Sequence, residues 1–299
     1  MRLSPTQRRD NWFGYAFIMP FVALYVIFTL YPLAQGFFIS FNKWNIVKPM
    51  EWVGIRNYQK LLSDKKFWEA LTHTFEFLLY STAPLMIFGF MLAAIINSRL
   101  LRGQALFRAV FFSPNVLTVS IISFMWQMIL DPYKGLVNAA LKSIGLLDPN
   151  PKVQIFWLTN PNIVWWSITL ITLWWTVGYN MIIYLAAMQD IPDSMYESAS
   201  LDGASGWQQL VYITLPSLKR IHATLLFLQI IASFKVFGQI YLVTAGGPAS
   251  RTRAFIQYIY DTAFQRFSMG EGSAAAFMLF AIILVVSVIQ LRVMDKSEV

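Results

Sequence analysis

Residues Asp190–Pro216 read DIPDSMYESASLDGASGWQQLVYITLP, a polar stretch of many small side chains between two long apolar runs. Asp190 or Asp193 can cap a helix, and Pro192 suits its first turn because proline lacks the N–H that would be unpaired there. The pattern predicts a short helix that ends at about Leu201.

A second short helix is predicted directly after the first. Gly203 suits the left-handed conformation that ends a helix, and the second helix is expected to reach Leu215, just before Pro216. Its apolar side recurs at helical spacing through Trp207, Leu210, Val211 and Thr214. The segment is therefore predicted to be helix, turn, helix.

The turn of this segment is suited to contact with another molecule. Its small residues let a second surface approach the backbone, while Glu197 and Asp202 offer negative charge to basic groups on that surface. We therefore interpret the segment as a docking element for a soluble partner. The alternative is an amphipathic helix that lies on the membrane surface.

The composition predicts a membrane protein. Hydrophobic residues make up 57% of the 299 residues and charged residues 13%, against about 45–50% and about 25% in soluble domains. Windows free of charge, or nearly so, recur at lengths that suit a helix of about 20 residues. They are Asn11–Asn42, Phe77–Ser98, Ala109–Leu130, Val153–Gln189, Gly272–Leu291 and, interrupted by His222 and Lys235, Ile221–Ala245.

These windows predict an all-α integral membrane protein with six transmembrane helices. The predicted spans, within a transmembrane domain at 12–292, are 12–41, 73–98, 107–130, 162–189, 221–245 and 272–292. The polar loop between the fourth and fifth spans covers 190–220, and the predicted terminal segments are 1–11 and 293–299.

The orientation rests on short charged segments. Ten Lys and Arg residues lie on the side of the membrane that holds the predicted termini, and twelve lie on the other side. The positive-inside rule therefore does not decide the orientation by count. Arg8 and Arg9 precede the first span, and the loop at 97–108 contains Arg99, Arg102 and Arg108 without acids. This favours cytoplasmic termini and a cytoplasmic 190–220 loop. The first apolar run is expected to stay attached as a span, since no cleavage site of a signal peptide is recognised.

Several function classes are disfavoured. The net charge is +8, but the basic residues are spread over several loops, so anionic lipid headgroups are the expected counter-charge rather than nucleic acid. The chain has no cysteine and no phosphate-binding Gly-x4-Gly-Lys-Ser/Thr loop. No metal site is predicted, because His73 and His222 lie far apart in the sequence. No nucleophile–base pattern supports an integral membrane enzyme.

The docking segment closely resembles the Glu-Ala-Ala signature of permease subunits in binding-protein-dependent, ATP-driven importers. The matching residues are Tyr196, Glu197, Ala199, Asp202, Gly203, Ala204, Trp207 and Ile213-Thr214-Leu215-Pro216. Ser198 and Leu210 depart from the usual alanine and phenylalanine. The fourth predicted span, which precedes the segment, is similar to the same family's pattern as well. The matching residues are Trp175, Gly178, Asn180, Leu185-Ala186, Gln189 and Ile191-Pro192.

The resemblance extends over nearly the whole chain and is to the first-permease branch for sugars and glycerol phosphate. It includes Tyr31-Pro32, Trp52-Val53-Gly54, Asn57-Tyr58 and the run from Thr244 through Gly246-Gly247-Pro248 to Thr252. Gly238 stands where many relatives carry aspartate, so a role for that acid is not transferred to this chain.

The resemblance implies the type I importer permease fold with a cytoplasmic coupling-helix loop. It implies a second homologous permease, two ATPase subunits that hold ATP and Mg, an extracytoplasmic solute-binding protein and a sugar substrate, in the cytoplasmic membrane of a bacterium or archaeon. It implies no cofactor in this chain. The Glu197 helix would lodge in an ATPase groove, and Gly246, Gly247 and Pro248 would lie near the dock of the binding protein.

The transport path is predicted from polar residues inside the spans. Lys235 and Gln239, at i and i+4, are expected to share a face, and an intramembrane lysine is costly unless it meets water or a partner. Tyr179 and Asn180 are further candidates. Gln229 would lie on a different helical face. Packing or snorkelling is the alternative for Lys235 and Gln239.

A secondary, ion-coupled transporter is the competing function. It would require coupling-ion acids or broken helices in paired repeats near the middle of the membrane. The sequence shows neither a clear internal repeat nor midspan carboxylates, so a permease of an ATP-driven importer is the leading prediction.

Overall fold

A computed structural model describes residues 5–98 and 101–296 and is largely helical. Met1–Ser4, Arg99, Leu100 and the end of the predicted 293–299 segment, from Ser297 onward, lie outside the described residues. The α-helices are α1 (Pro5–Tyr25), α2 (Tyr31–Ser40), α3 (Arg56–Ser63), α4 (Lys65–Asn97), α5 (Gln104–Phe112), α6 (Val119–Ile129), α7 (Leu136–Ser143), α8 (Val164–Gln189), α9 (Asp193–Leu201), α10 (Gly206–Gln209), α11 (Leu215–Ser217), α12 (Lys219–Phe234), α13 (Gly238–Thr244), α14 (Phe255–Tyr260) and α15 (Met269–Lys296). A short antiparallel hairpin pairs β1 (Asn42–Lys43) with β2 (Glu51–Trp52).

The chain divides into two compact units. One is formed by residues up to Asp64 with Ile259–Phe280, and the other by Lys65–Tyr258 with residues from Ala281 onward.

Four helical stretches of the described chain are long and apolar enough to cross a membrane. They are Gly14–Ser40, Lys65–Asn97, Val164–Gln189 and Met269–Arg292. Two bent pairs also qualify, Gln104–Val116 with Val119–Ile129 at 99° and Lys219–Phe234 with Gly238–Thr244 at 50°. If each bent pair counts as one span, the total is the predicted six. The exact ends of the spans stay predictions; the helix of the second one begins at Lys65, ahead of residue 73.

The first unit joins the first apolar helix to the start of α15. Asn57 is buried and donates from its amide nitrogen to the carbonyl oxygens of Ser40 and Asn42, at 2.8 and 3.0 Å. The Met269 N–H donates to the Trp44 carbonyl over 2.9 Å. A Cβ at position 270 would collide with the Asn42 carbonyl, so glycine is required where α15 meets the hairpin.

The second unit is built on the packing of α4 against α8. A Cβ at Gly89 would lie 2.7 Å from the Asn180 Cβ, so glycine allows the two backbones to approach closely. Small residues serve this purpose in membranes because lipid tails are as apolar as the side chains and helices associate largely through close packing. The buried cluster around this contact contains Ala93, Ile96, Met181, Tyr184, Leu185, Met188, Leu218 and Leu225.

The third candidate span is broken after α5. A 3-10 turn at Ser113–Val116 includes Pro114, and Leu117 and Thr118 then adopt extended backbone before α6 begins. The end of α5 is close to α8, because a Cβ at Gly178 would collide with the Phe111 carbonyl. The predicted span at 107–130 therefore consists of two helical pieces that meet at this break, where the sequence window carries no charge.

The fifth candidate span is also broken, between α12 and α13. Lys235 occupies the C-terminal cap of α12, and Phe237 has φ −147° and ψ −68°, outside the helical region. The carbonyls at the end of α13 gain a partner from α6, since the Gln127 amide donates to Leu242 and Val243 at 2.7 and 3.1 Å. The sequence analysis predicted neither this break nor the one in the third span.

Candidate functional site

The first helix of the 190–220 loop forms where the sequence predicts it. Helix α9 covers Asp193–Leu201, but Pro192 occupies the N-cap position and no side chain caps the helix, so the predicted Asp cap is wrong. Asp193 instead lies in the first turn, where a carboxylate favours the positive end of the helix dipole.

The end of α9 depends on Gly203. Gly203 has φ +81°, and the Ala204 N–H donates to the Ala199 carbonyl over 2.9 Å. The Gly203 N–H donates to the Ser200 carbonyl over 3.1 Å. This pattern of bonds ends the helix as the sequence predicts, with glycine at the left-handed position.

The second helical segment starts at a capping box and does not stop at Pro216. The Ser205 hydroxyl accepts from the Gln208 N–H, and the Gln208 side chain accepts from the Ser205 N–H. Helix α10 passes into a π-helical turn at Leu210–Thr214 and then into α11, whose first turn contains Pro216. The expectation that the helix ends at Leu215 is wrong, because proline is tolerated in the first turn of a new helical segment.

Two side-chain bonds clamp the helix pair together. The Tyr196 hydroxyl lies 2.8 Å from the hydroxyl of Thr214, which is buried. The Gln209 amide donates to the Ser200 hydroxyl over 2.9 Å. The pair therefore forms a stiff connector between α8 and α12.

The outer surface of this connector carries large apolar side chains. Leu201 is 90% exposed and Trp207 is 72% exposed, and the carboxylates Glu197 and Asp202 are exposed beside them. Pro216 is exposed, while Ala199 and Ala204 are half-buried. Exposed aromatic and aliphatic side chains rimmed by charge are typical of a docking surface. We name Glu197, Leu201, Asp202 and Trp207 the coupling surface.

A cavity of 540 Å³ lies between α4, α8, α12 and the two breaks. Its wall includes the residues of the second break, Lys235–Gly238, together with the turn before α6. Irregular backbone at membrane depth is tolerated where it lines such a cavity. The lining side chains that can donate or accept hydrogen bonds are Ser81, Asn115, Thr172, Trp175, Thr176, Tyr179, Gln229, Ser233, Lys235 and Gln239.

The four predicted path residues differ in their surroundings. Tyr179, Lys235 and Gln239 line the cavity, whereas Asn180 is fully buried behind it. Gln239 is buried and donates to the Thr172 hydroxyl over 2.8 Å. Lys235 is exposed. Lys235 and Gln239 do not share one helical face, because the break between α12 and α13 lies between them. The bend of the backbone at this break brings both side chains to the cavity wall.

Gln229 is a site residue that the sequence analysis set aside. Its amide donates to the Asn180 side-chain oxygen over 3.0 Å, and its side chain lines the cavity. The helical-wheel argument placed it on another face of a continuous fifth span, but the wall of the cavity curves around α12. The polar pair with Asn180 could have been found only from the packing of α8 against α12.

The Gly246-Gly247-Pro248 segment follows α13 and is tightly tied. The Gly247 carbonyl accepts from the Thr252 hydroxyl over 2.6 Å, and the Thr252 and Thr244 hydroxyls lie 2.7 Å apart. A Cβ at Gly246 would lie 2.8 Å from the Gln257 amide nitrogen. The loop is thus a shaped turn rather than a loose connection.

Comparison with known proteins identifies the class. Residues 85–297 match the family described as "Binding-protein-dependent transport system inner membrane component". The chain therefore belongs to this family of transport permeases. The membership confirms the prediction of a multi-pass transporter subunit rather than an enzyme, and no comparison supports a secondary transporter.

Individual relatives match over nearly the full length. The chain is 32% identical to the probable ABC transporter permease protein YesP of Bacillus subtilis over 97% of this chain and 92% of YesP. It is 33% identical to the lactose transport system permease protein LacF of Rhizobium radiobacter over 92% and 91%. A bacterial ABC transporter involved in import of the acidic polysaccharide alginate has a similar fold, with TM-score 0.83, 24% identity and 96% coverage of each chain. The type I importer permease fold predicted from the sequence is confirmed.

Proposed function

We propose that this chain is one of two membrane permeases in an ATP-driven importer that takes a sugar or oligosaccharide from an extracytoplasmic binding protein into the cytoplasm. Two separate ATPase subunits hold ATP and Mg, and this chain needs no cofactor of its own. Both termini and the 190–220 loop face the cytoplasm.

The assignment of a sugar as the substrate rests on the side chains that line the cavity. Its wall combines amide, hydroxyl and ammonium groups with the rings of Trp175 and Tyr179. Sugars present hydroxyl groups on their rim and apolar C–H faces, so this mixture of donors, acceptors and aromatic faces suits them. Relatives named for lactose and for starch degradation products support the same class.

The coupling surface supports the partnership with an ATPase. The clamp from Tyr196 to Thr214 makes the connector stiff, so a displacement of the coupling surface reaches α8 and α12 directly. A partner can drive the spans between two states only through contacts that differ between those states. An apolar anchor on a rigid connector provides such contacts.

The loop at Gly246–Pro248 is the proposed dock of the binding protein. It directly follows α13, at the opposite end of the fifth bent pair from α11 and the coupling loop. A comparable alginate transporter has been solved with a periplasmic protein bound to an alginate pentasaccharide. In this assignment the substrate enters past the loop and reaches the cavity at Lys235.

Co-purification of the assembled complex tests this proposal. The chain is co-expressed with the candidate second permease and ATPase, and the ATPase retained per permease is measured for Leu201→Asp with Trp207→Asp. We expect loss of the ATPase with normal membrane insertion, because the two substitutions place charge in the apolar anchor. Tyr212→Asp is the matched control, since Tyr212 is 75% exposed but lies outside the coupling surface. Equal retention of the ATPase by the parent, the double variant and the Tyr212→Asp control would contradict the docking assignment.

A further inference from the structure

A basic pocket of 550 Å³ lies in the first unit and shares no lining residue with the coupling surface or the transport cavity. Its charged lining consists of Lys43, Lys48, Arg56, Lys60, Arg266, Glu51 and Glu271. The five cations and two carboxylates give the wall a net charge of +3. A concave wall with this excess of positive charge favours an anionic ligand.

The pocket is preformed by backbone and buried contacts. Asn57 and Gly270 fix the floor by holding the hairpin against α3 and the start of α15. Lys60 forms a salt bridge with Glu271 and so links α3 to α15 across one wall. A rigid wall loses little conformational freedom when a ligand binds.

Most of the positive charge is available for a ligand. Among the residues that the structure describes, no carboxylate lies within salt-bridge distance of Lys48, Arg56 or Arg266. Lys43 faces Glu51 as its cross-strand neighbour in the hairpin, so its charge is partly balanced. The three unbalanced cations come from three different segments of the unit.

The candidate spans next to the pocket in the sequence are expected to place it near the boundary of the membrane. Lys43 follows the candidate span that ends at Ser40, and Arg266 precedes the candidate span that begins at Met269. Apolar side chains are exposed beside the cations, with Val47 at 89% and Trp52 at 63%. Basic groups next to exposed tryptophan and aliphatic side chains are characteristic of protein surfaces at the headgroup level.

We propose that this pocket binds the phosphate headgroup of an anionic phospholipid. Arg56 and Arg266 are suited to hold phosphate oxygens through paired N–H donors, and Lys48 adds a point charge. The acyl chains would lie along the exposed apolar side chains of the hairpin. The proposal also accounts for the excess of Lys and Arg on the side of the membrane away from the termini, since five of those twelve residues line this one pocket.

The test measures lipid retention by the full-length chain. The protein is placed in nanodiscs of phosphatidylcholine with phosphatidylglycerol, extracted, and examined by native mass spectrometry for retained phosphatidylglycerol. In the triple variant Lys48→Gln, Arg56→Gln, Arg266→Gln we expect affinity to fall by about five-fold for each cation removed. The control Lys134→Gln, Lys142→Gln, Lys152→Gln removes equal charge from another loop and should retain the lipid.

Further variants and ligands distinguish binding of the lipid from binding of other anions. Lys48→Arg, Arg56→Lys, Arg266→Lys keeps the charge but replaces the two paired donors with single ammonium groups, so this variant should retain more lipid than the Gln variant and less than the parent. Retention above the Gln variant shows that charge rather than a folding defect is responsible. If soluble glycerol phosphate binds as tightly as the lipid, the lipid assignment is overturned. It is also overturned if the Gln variant retains phosphatidylglycerol like the control.

Discussion

The phenol oxygen of Tyr196 lies 2.8 Å from the hydroxyl oxygen of Thr214, which joins α9 to the π-helical turn of the coupling loop. Thr214 is buried and also donates to the Gln209 carbonyl at the longer distance of 3.4 Å. The contact between Tyr196 and Thr214, together with the bond from the Gln209 amide to the Ser200 hydroxyl, keeps the two helical segments in one arrangement.

Loss of this link should weaken coupling. In Tyr196→Phe the hydrogen bond is removed while the ring stays, and a bond of this kind contributes about 0.5–1.5 kcal/mol. We predict that ATP-driven uptake per assembled complex falls severalfold while membrane insertion is unchanged. Tyr212→Phe removes a hydroxyl from an exposed residue of the same segment and should transport like the parent. Equal uptake in both variants would show that the link is dispensable.

Substitutions at Gly203 test the backbone conformation of the turn separately from the contacts that the turn makes. No atom lies within 4 Å of a Cβ at this position, but φ is +81°, so the strain of Gly203→Ala comes from the backbone at about 1–2 kcal/mol. We predict that Gly203→Ala lowers ATPase stimulation by the binding protein. Gly203→Asn should retain more activity, because asparagine tolerates the left-handed conformation.

Gly203→Asp adds negative charge beside Asp202 and should abolish stimulation and transport. Gly206→Ala is the control for this series, since Gly206 has no atom within 4 Å of its Cβ and no positive φ. An Asp variant with the stimulation of the Gly206→Ala protein would contradict an ATPase contact at this turn.

The orientation of the chain can be tested by labelling single cysteines, because the native sequence has none. Ser63 and Ser205 are both exposed but lie in loops predicted on opposite sides of the membrane. An impermeant thiol reagent applied to intact cells should label Ser63→Cys and leave Ser205→Cys unmodified until the membrane is opened. Labelling of Ser205→Cys in intact cells would reverse the proposed topology.

Lys235 and Gln239 should behave differently although both line the cavity. Lys235 is exposed, so Lys235→Met should leave assembly intact and reduce uptake or change which sugars pass. Gln239 is buried and bonded to Thr172, so Gln239→Leu should lower thermal stability by about 1 kcal/mol or more. Uptake per assembled complex and the unfolding temperature are measured together, with Lys235→Arg as the charge-conserving control. If Lys235→Met transports like the parent, the lysine is not part of the path.

The sequence predicts the fold class and the coupling helix well because both depend on local signals. Uncharged windows indicate spans, and Gly203 ends a helix through its own backbone. The breaks before α6 and α13 were missed: the first carries no charge, and Lys235 at the second was interpreted as a charged residue within a continuous helix. The pair of Gln229 with Asn180 was missed as well, because it forms only when α12 packs against α8.

The most direct test of the account is uptake by the complete transporter in proteoliposomes. The complex is reconstituted with ATP and Mg inside and the sugar-loaded binding protein outside, and labelled sugar in the lumen is measured. The account predicts uptake that requires both ATP hydrolysis and the binding protein and that is lost in Leu201→Asp with Trp207→Asp. Uptake driven by an ion gradient without ATP, or by free sugar without the binding protein, would contradict it.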